Sequence, residues 1–111
     1  MSPDGDPNPS PDQLSGAAAD AAAKVRRMVT ICNQRGLHAR AAARFVKTAA
    51  QFDAEIWVRK NGTAVSGRSI MGLMMLAAAS GTRIEISASG RDAATAVETL
   101  ARLIECKFDE D

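Results

Sequence analysis

Tyrosine is absent from these 111 residues, tryptophan occurs once and phenylalanine three times. So few rings leave no stacking platform of the kind that reads single-stranded nucleic acid, and a nucleic-acid partner is not expected. Any core must be assembled from Ala, Val, Ile, Leu and Met. Histidine occurs once and cysteine twice, with no ligand spacing of a zinc site. No metal or cofactor is therefore expected, and Cys32 and Cys106 read as reduced core thiols. The longest apolar run, residues 70–79, is about half of the roughly 20 residues that cross a bilayer. No membrane partner is expected, and the reading is of a soluble, cytoplasmic protein. No Gly-rich phosphate loop and no Gly-x-Ser-x-Gly elbow occurs, which removes P-loop nucleotide hydrolases and the α/β-hydrolases from consideration.

Proline is missing from most of the chain as well, because all four prolines lie within the first 11 residues. Residues 1–23 join those prolines to Gly, Ser, Asp and Ala, a composition too polar to bury a core. They read as a disordered N-terminal tail, with a single domain over 24–111. The formal charge of +1 conceals an asymmetry. The first 20 residues hold four of the 13 acidic side chains and no Lys or Arg, which leaves 14 basic against 9 acidic beyond them, a net of +5. A basic domain without aromatic platforms points to an acidic protein partner.

Hydrophobic periodicity orders the domain. Residues 25–32 alternate imperfectly, as a strand in a central position would. Ala42, Phe45, Val46 and Ala49 recur at i, i+3, i+4 and i+7, the pattern of an amphipathic helix. Ala54, Ile56 and Val58 alternate with polar neighbours, and Asn61-Gly62 is a type I′ hairpin signal into a strand near 63–66. Ser69 is placed as the N-cap of a helix running to about Ala78 and ended by Ser80-Gly81, with Leu73, Leu76 and Ala77 facing the core. A strand over 82–88 follows, and Gly90 and Asp92 open a last helix lined by Ala93, Val97, Leu100 and Ile104, with Phe108 closing it. The order is βαββαβα. One apolar face per strand puts the helices on one side of an antiparallel sheet, an α+β arrangement.

The chemistry concentrates in Gly36-Leu37-His38-Ala39-Arg40. His38 falls at the cap of the helix that begins there, where the first backbone N–H groups have no intrahelical partner and carry the positive end of the dipole. A phosphate suits such a place. Arg40 adds a forked donor matched to phosphoryl oxygens, with Arg35 and Arg44 strengthening the field. The imidazole supplies a nitrogen lone pair as nucleophile. Three readings remain on the residues alone: a phosphoryl acceptor, a histidine that merely caps or decorates a helix, and an enzyme with a phosphohistidine intermediate. The last lacks a second acid or base near the motif. Ser69 reads equally as a plain cap. Ile70, Met71 and Met74, a methionine-rich stripe, read as core.

Gly36-Leu37-His38-Ala39-Arg40 resembles the active-site motif of HPr, the histidine-containing phosphocarrier family of the bacterial phosphotransferase system. Gly67-Arg68-Ser69-Ile70-Met71-Gly72-Leu73-Met74 resembles the regulatory serine region of the same family, at the expected distance downstream. The resemblance implies an open-faced sandwich with four antiparallel strands and three helices on one face. It implies a phosphoryl carrier, not a self-sufficient enzyme: enzyme I would phosphorylate His38 on Nδ1, and His38 would pass the group to an enzyme IIA, with Arg40 stabilising the phosphate. It further implies phosphorylation of Ser69 by HPr kinase/phosphorylase, and it moves Ile70, Met71 and Met74 from core to partner docking, where Arg44 joins them. The rival within the resemblance is a regulatory module whose binding is switched at His38 or Ser69 without onward transfer. A monomer is expected. Ala41 stands where most sugar-system members carry proline, and Phe52-Asp53-Ala54-Glu55 and Phe108-Asp109-Glu110-Asp111 resemble the nitrogen-related branch, so the reading leans towards a nitrogen-related carrier that keeps the serine.

Overall fold

The structure is a computed structural model and describes residues 24–109. The tail expected over 1–23 lies outside the described residues, as do residues 110 and 111. Four strands, β1 (Val25–Thr30), β2 (Glu55–Lys60), β3 (Thr63–Ser66) and β4 (Arg83–Ser89), form one antiparallel sheet in the order β1-β4-β2-β3. Of three helices, α1 (Ala39–Ala49) lies between β1 and β2, α2 (Ile70–Met75) between β3 and β4, and α3 (Ala93–Glu105) follows β4. Val29, Ile56, Val58, Ile84, Ile86 and Ala88 point to the covered face and are buried against Phe45 of α1, Leu73 of α2 and Leu100 and Ile104 of α3. Their partners along each strand, among them Met28 and Trp57, stay exposed on the open face. Period-two alternation with one apolar set per strand leaves the helices a single face to cover, and the α+β open-faced sandwich follows.

The Asn61-Gly62 hairpin is present, with both residues at positive φ (50° and 84°) and Lys60 paired with Thr63. That is the backbone a type I′ turn requires. β1, however, is an edge strand, not a central one. The residue that spoils its alternation, Arg27, lies on the covered face and reaches α3, where it donates to Glu98 (2.8 Å) and Glu105 (3.1 Å). The bond and charge of Glu98, followed by Glu105, hold that guanidinium more firmly protonated still. An edge position lets a basic side chain leave the core for solvent.

Two further expectations are corrected. α2 stops at Met75, not near Ala78, because Ala77 turns to positive φ (53°) and the Lys60 ammonium donates to the carbonyls of Leu76 (2.9 Å) and Ala77 (3.2 Å). A cation at a helix C-terminus satisfies orphan carbonyls and so ends the helix early. Ala77 is consequently exposed and Ala78 takes the buried place. The cysteines are not core thiols, since both are exposed. Asp92 does occupy the N-cap of α3, but its carboxylate accepts from the Asp53 backbone N–H (2.8 Å) instead of from its own helix. Phe108 closes the core as expected, in an unforeseen way: Lys107, Phe108 and Asp109 all adopt φ between 56° and 60°, a left-handed turn that drives the ring into full burial. Each such residue costs on the order of 1 kcal/mol, and burying a phenylalanine returns about 2–3 kcal/mol.

Candidate functional site

The loop from β1 to α1 is held from inside. Asn33 is fully buried, and its side-chain amide donates to the carbonyl of Gly36 (2.8 Å), closing the turn that the Gly36 N–H makes with the Asn33 carbonyl (3.2 Å). Gly36 has φ +68° and lies so near the 78–79 backbone that a Cβ there would sit 2.6 Å from the Ala78 carbonyl oxygen. Only glycine fits both demands. The next residue, Leu37, buries its side chain and donates its N–H to that same Ala78 carbonyl (2.9 Å). The segment after α2 thus clamps the loop, and His38 is delivered at a defined place.

His38 is the N-cap of α1. Its backbone is extended (φ −80°, ψ −179°), its carbonyl accepts from the Ala42 N–H (2.8 Å), and its side chain makes no capping hydrogen bond. The ring is half-buried and lines a shallow depression with Arg35, Leu37, Ala77, Ala78 and Ala79. The first turn of α1 contains no acidic residue, so nothing in it opposes the positive helix terminus. Arg35 and Arg40 are exposed beside the cap, and neither makes an ion pair among the described residues. Arg44, one turn further along α1, lies 3.8 Å from Asp109 of the left-handed C-terminal turn. An arrangement of this kind can receive an anion from outside: orphan N–H groups, an exposed guanidinium and an aromatic nitrogen at one open, shallow site.

Ser69 caps α2, with its hydroxyl accepting from the Gly72 N–H at 2.9 Å. Replacing it by alanine removes that bond, and Ser69→Ala is expected to lower unfolding stability by about 1 kcal/mol, read from the midpoint of a urea titration at unchanged slope. Beside the cap, Ile70 (41% exposed), Met71 (70%) and Met74 (41%) turn outward while Leu73 is buried. The methionine stripe is a surface, and the core reading of it from the residues alone is overturned. Met75, 77% exposed, extends the patch. Its membership was hidden because a longer helix was expected, although the Met74-Met75 pair on so short an element was the available signal. Asn33 and the 77–79 segment carry no recognisable motif, and their part in holding His38 depends on contacts distant in sequence. α1 packs against α2, so the His38 cap and the apolar patch belong to adjacent elements. Among the described residues, no helix is long and apolar enough to cross a membrane.

The family model described as "PTS HPr component phosphorylation site" matches residues 25–106. The phosphocarrier protein HPr of Neisseria meningitidis is 51% identical over 86 residues, which are 78% of this chain and 97% of that protein. The phosphocarrier protein NPr of Shewanella violacea is 42% identical over 87 residues, 78% of this chain and 96% of that one. Among solved structures, HPr-C-His from Thermoanaerobacter tengcongensis superposes with a TM-score of 0.75 at 44% identity, covering 78% of this chain and 98% of its own.

Proposed function

The chain belongs to the HPr family and is a phosphocarrier of the phosphotransferase system, and from that premise we propose that His38 is the residue that carries the phosphoryl group. The observation that bears most weight is that His38 is the only histidine among 111 residues and sits at the N-terminus of α1, beside Arg40 and without an acid in the first turn. The donor is phosphorylated enzyme I. His38 Nδ1 attacks the phosphorus in line, the new N–P bond forms as the bond to the donor breaks, and the negative charge spread over the equatorial oxygens is met by the N–H groups of the first turn and by Arg40. The acceptor is an enzyme IIA, reached by the same displacement in reverse order. A half-buried ring in a shallow, open depression suits a group that must be presented to two proteins in turn, which a deep pocket would prevent. The carrier acts as a monomer.

Ile70, Met71 and Met74, with Arg44, form the docking surface for those proteins. Ser69 is a regulatory phosphorylation site for HPr kinase/phosphorylase. A phosphoserine there would keep an acceptor at the start of α2 while placing up to two negative charges against the apolar patch, so docking, not folding, would change. The basic character of the domain, net +5 beyond residue 20, favours acidic partners that such a charge would repel.

Onward transfer distinguishes a carrier from a switch. Protein phosphorylated by enzyme I and phosphoenolpyruvate, then freed of enzyme I and mixed with purified sugar-type and nitrogen-related enzyme IIA proteins, should lose its phosphoryl group to one of them within the mixing time of a hand-quenched assay. The acceptor that drains it names the pathway. A phosphorylated form that persists with every enzyme IIA would instead describe a regulatory module.

A further inference from the structure

We propose that Cys32 and Cys106 are a dithiol pair able to close an intramolecular disulfide between the end of β1 and the C-cap of α3. The Cys32 sulfur, just beyond β1, donates to the Ile104 carbonyl (3.2 Å) and lies 3.7 Å from the carbonyl oxygen of Glu105, the residue joined directly to Cys106. Trans peptide geometry puts a Cα about 2.8 Å from the preceding carbonyl oxygen, so the Cα of Cys106 lies within about 6.5 Å of the Cys32 sulfur. In a disulfide each sulfur lies within about 4.5 Å of the partner's Cα, so closure needs an approach of about 2 Å at most, and that movement falls on the last turn of α3, where Cys106 is the C-cap and the chain has already left the helix. Both thiols are exposed and open to an oxidant.

A low-molecular-weight disulfide supplies the oxidation. One cysteine, as thiolate, attacks it, forming a mixed disulfide and releasing the first small thiol. The second cysteine then displaces the remaining small thiol, and the two protons lost by the protein end on the two released thiols. Two electrons pass from the cysteines to the oxidant, and one protein S–S bond forms as one small-molecule S–S bond is lost. The bridge would tie the residue adjoining Asn33, whose amide holds the Gly36 carbonyl, to the start of the turn that carries Phe108 and sets Asp109 against Arg44. An exposed pair in a chain with no other cysteine suits a reversible modification better than a structural bond.

The full chain, equilibrated in glutathione buffers from reducing to oxidising and acid-quenched, is read by intact mass and by peptide mapping. The expected product is a monomer that has lost two hydrogens, with a single cross-linked peptide joining residues 32 and 106, reversed by dithiothreitol. Its Tm should exceed that of the reduced form by at least about 5 °C, since the bridge closes most of the chain into one loop. Cys106→Ser should give only a glutathione adduct on Cys32 with no such rise. Glutathione adducts on both cysteines of the wild-type protein, disulfide-linked dimers as the sole oxidised product, or full retention of both free thiols would overturn the proposal.

Discussion

Replacing His38 by alanine abolishes phosphorylation by enzyme I and phosphoenolpyruvate while leaving the fold in place. The two effects separate because the His38 side chain makes no capping hydrogen bond: the start of α1 rests on the His38 carbonyl, which Ala42 engages at 2.8 Å and alanine retains. A half-buried ring outside the core contributes little to stability, so the unfolding free energy should change by about 1 kcal/mol or less. The chemistry has no understudy, since no second imidazole exists in the chain. Intact mass after incubation should show no added phosphoryl group on the variant, and circular dichroism a melting curve close to the parent's. An acid-labile phosphoryl group on His38→Ala would place the acceptor elsewhere.

Gly36→Val should harm stability and phosphorylation together. Valine would carry its Cβ to 2.6 Å from the Ala78 carbonyl oxygen and 3.0 Å from the Ala79 Cα, backbone atoms that cannot rotate away, at a φ of +68° that a β-branched residue resists. Left-handed backbone costs about 1 kcal/mol and forced overpacking a further 1–3 kcal/mol, so a loss of roughly 3 kcal/mol is expected in urea unfolding. The loop can relieve the clash only by leaving Ala78, which breaks the Leu37 N–H bond to that carbonyl and moves His38 from its place. A displacement of about 1 Å can cost two orders of magnitude in a transfer step. The initial rate of phosphorylation of the folded protein should therefore fall about 100-fold. Gly62→Ala is the control. That glycine also has positive φ (84°) but meets nothing within 4 Å at the hairpin tip, so the substitution should cost only about 1 kcal/mol and leave the rate unchanged. Equal losses at both positions would show that backbone strain alone, without the contact to Ala78, governs the result.

The contrast between these glycines marks how far the sequence could be read. Elements governed by local rules were legible: the Asn61-Gly62 turn, the alternation of β2 and β4, Ser69 as a cap, and His38 at the start of a helix whose alanines favour it. Elements decided by partners far along the chain were not. The end of α2 depends on Lys60, sixteen residues before the carbonyl of Leu76. The edge position of β1 rests on its pairing with β4 alone, and Arg27 on its covered face meets Glu98 and Glu105 of α3, more than 70 residues away in the chain. Asn33 gives no sign in the sequence that its amide, fully buried, braces the loop under His38. Exposure was misjudged for Cys32 and Cys106 because small apolar-leaning residues usually go inside, and here both lie at element ends. The methionine stripe shows the opposite case, where composition favoured burial and the resemblance to HPr pointed outward, as the structure has it.

The atom that takes up the phosphoryl group decides whether His38 is the carrier. The ¹⁵N-labelled protein, phosphorylated by enzyme I and phosphoenolpyruvate, is examined by intact mass and by long-range ¹H–¹⁵N correlation of its one imidazole. One phosphoryl group bound to Nδ1 of His38, lost in acid and retained in base, is the predicted result. A protein that takes up no phosphoryl group, or takes it up while the His38 resonances stay unchanged, would contradict the account.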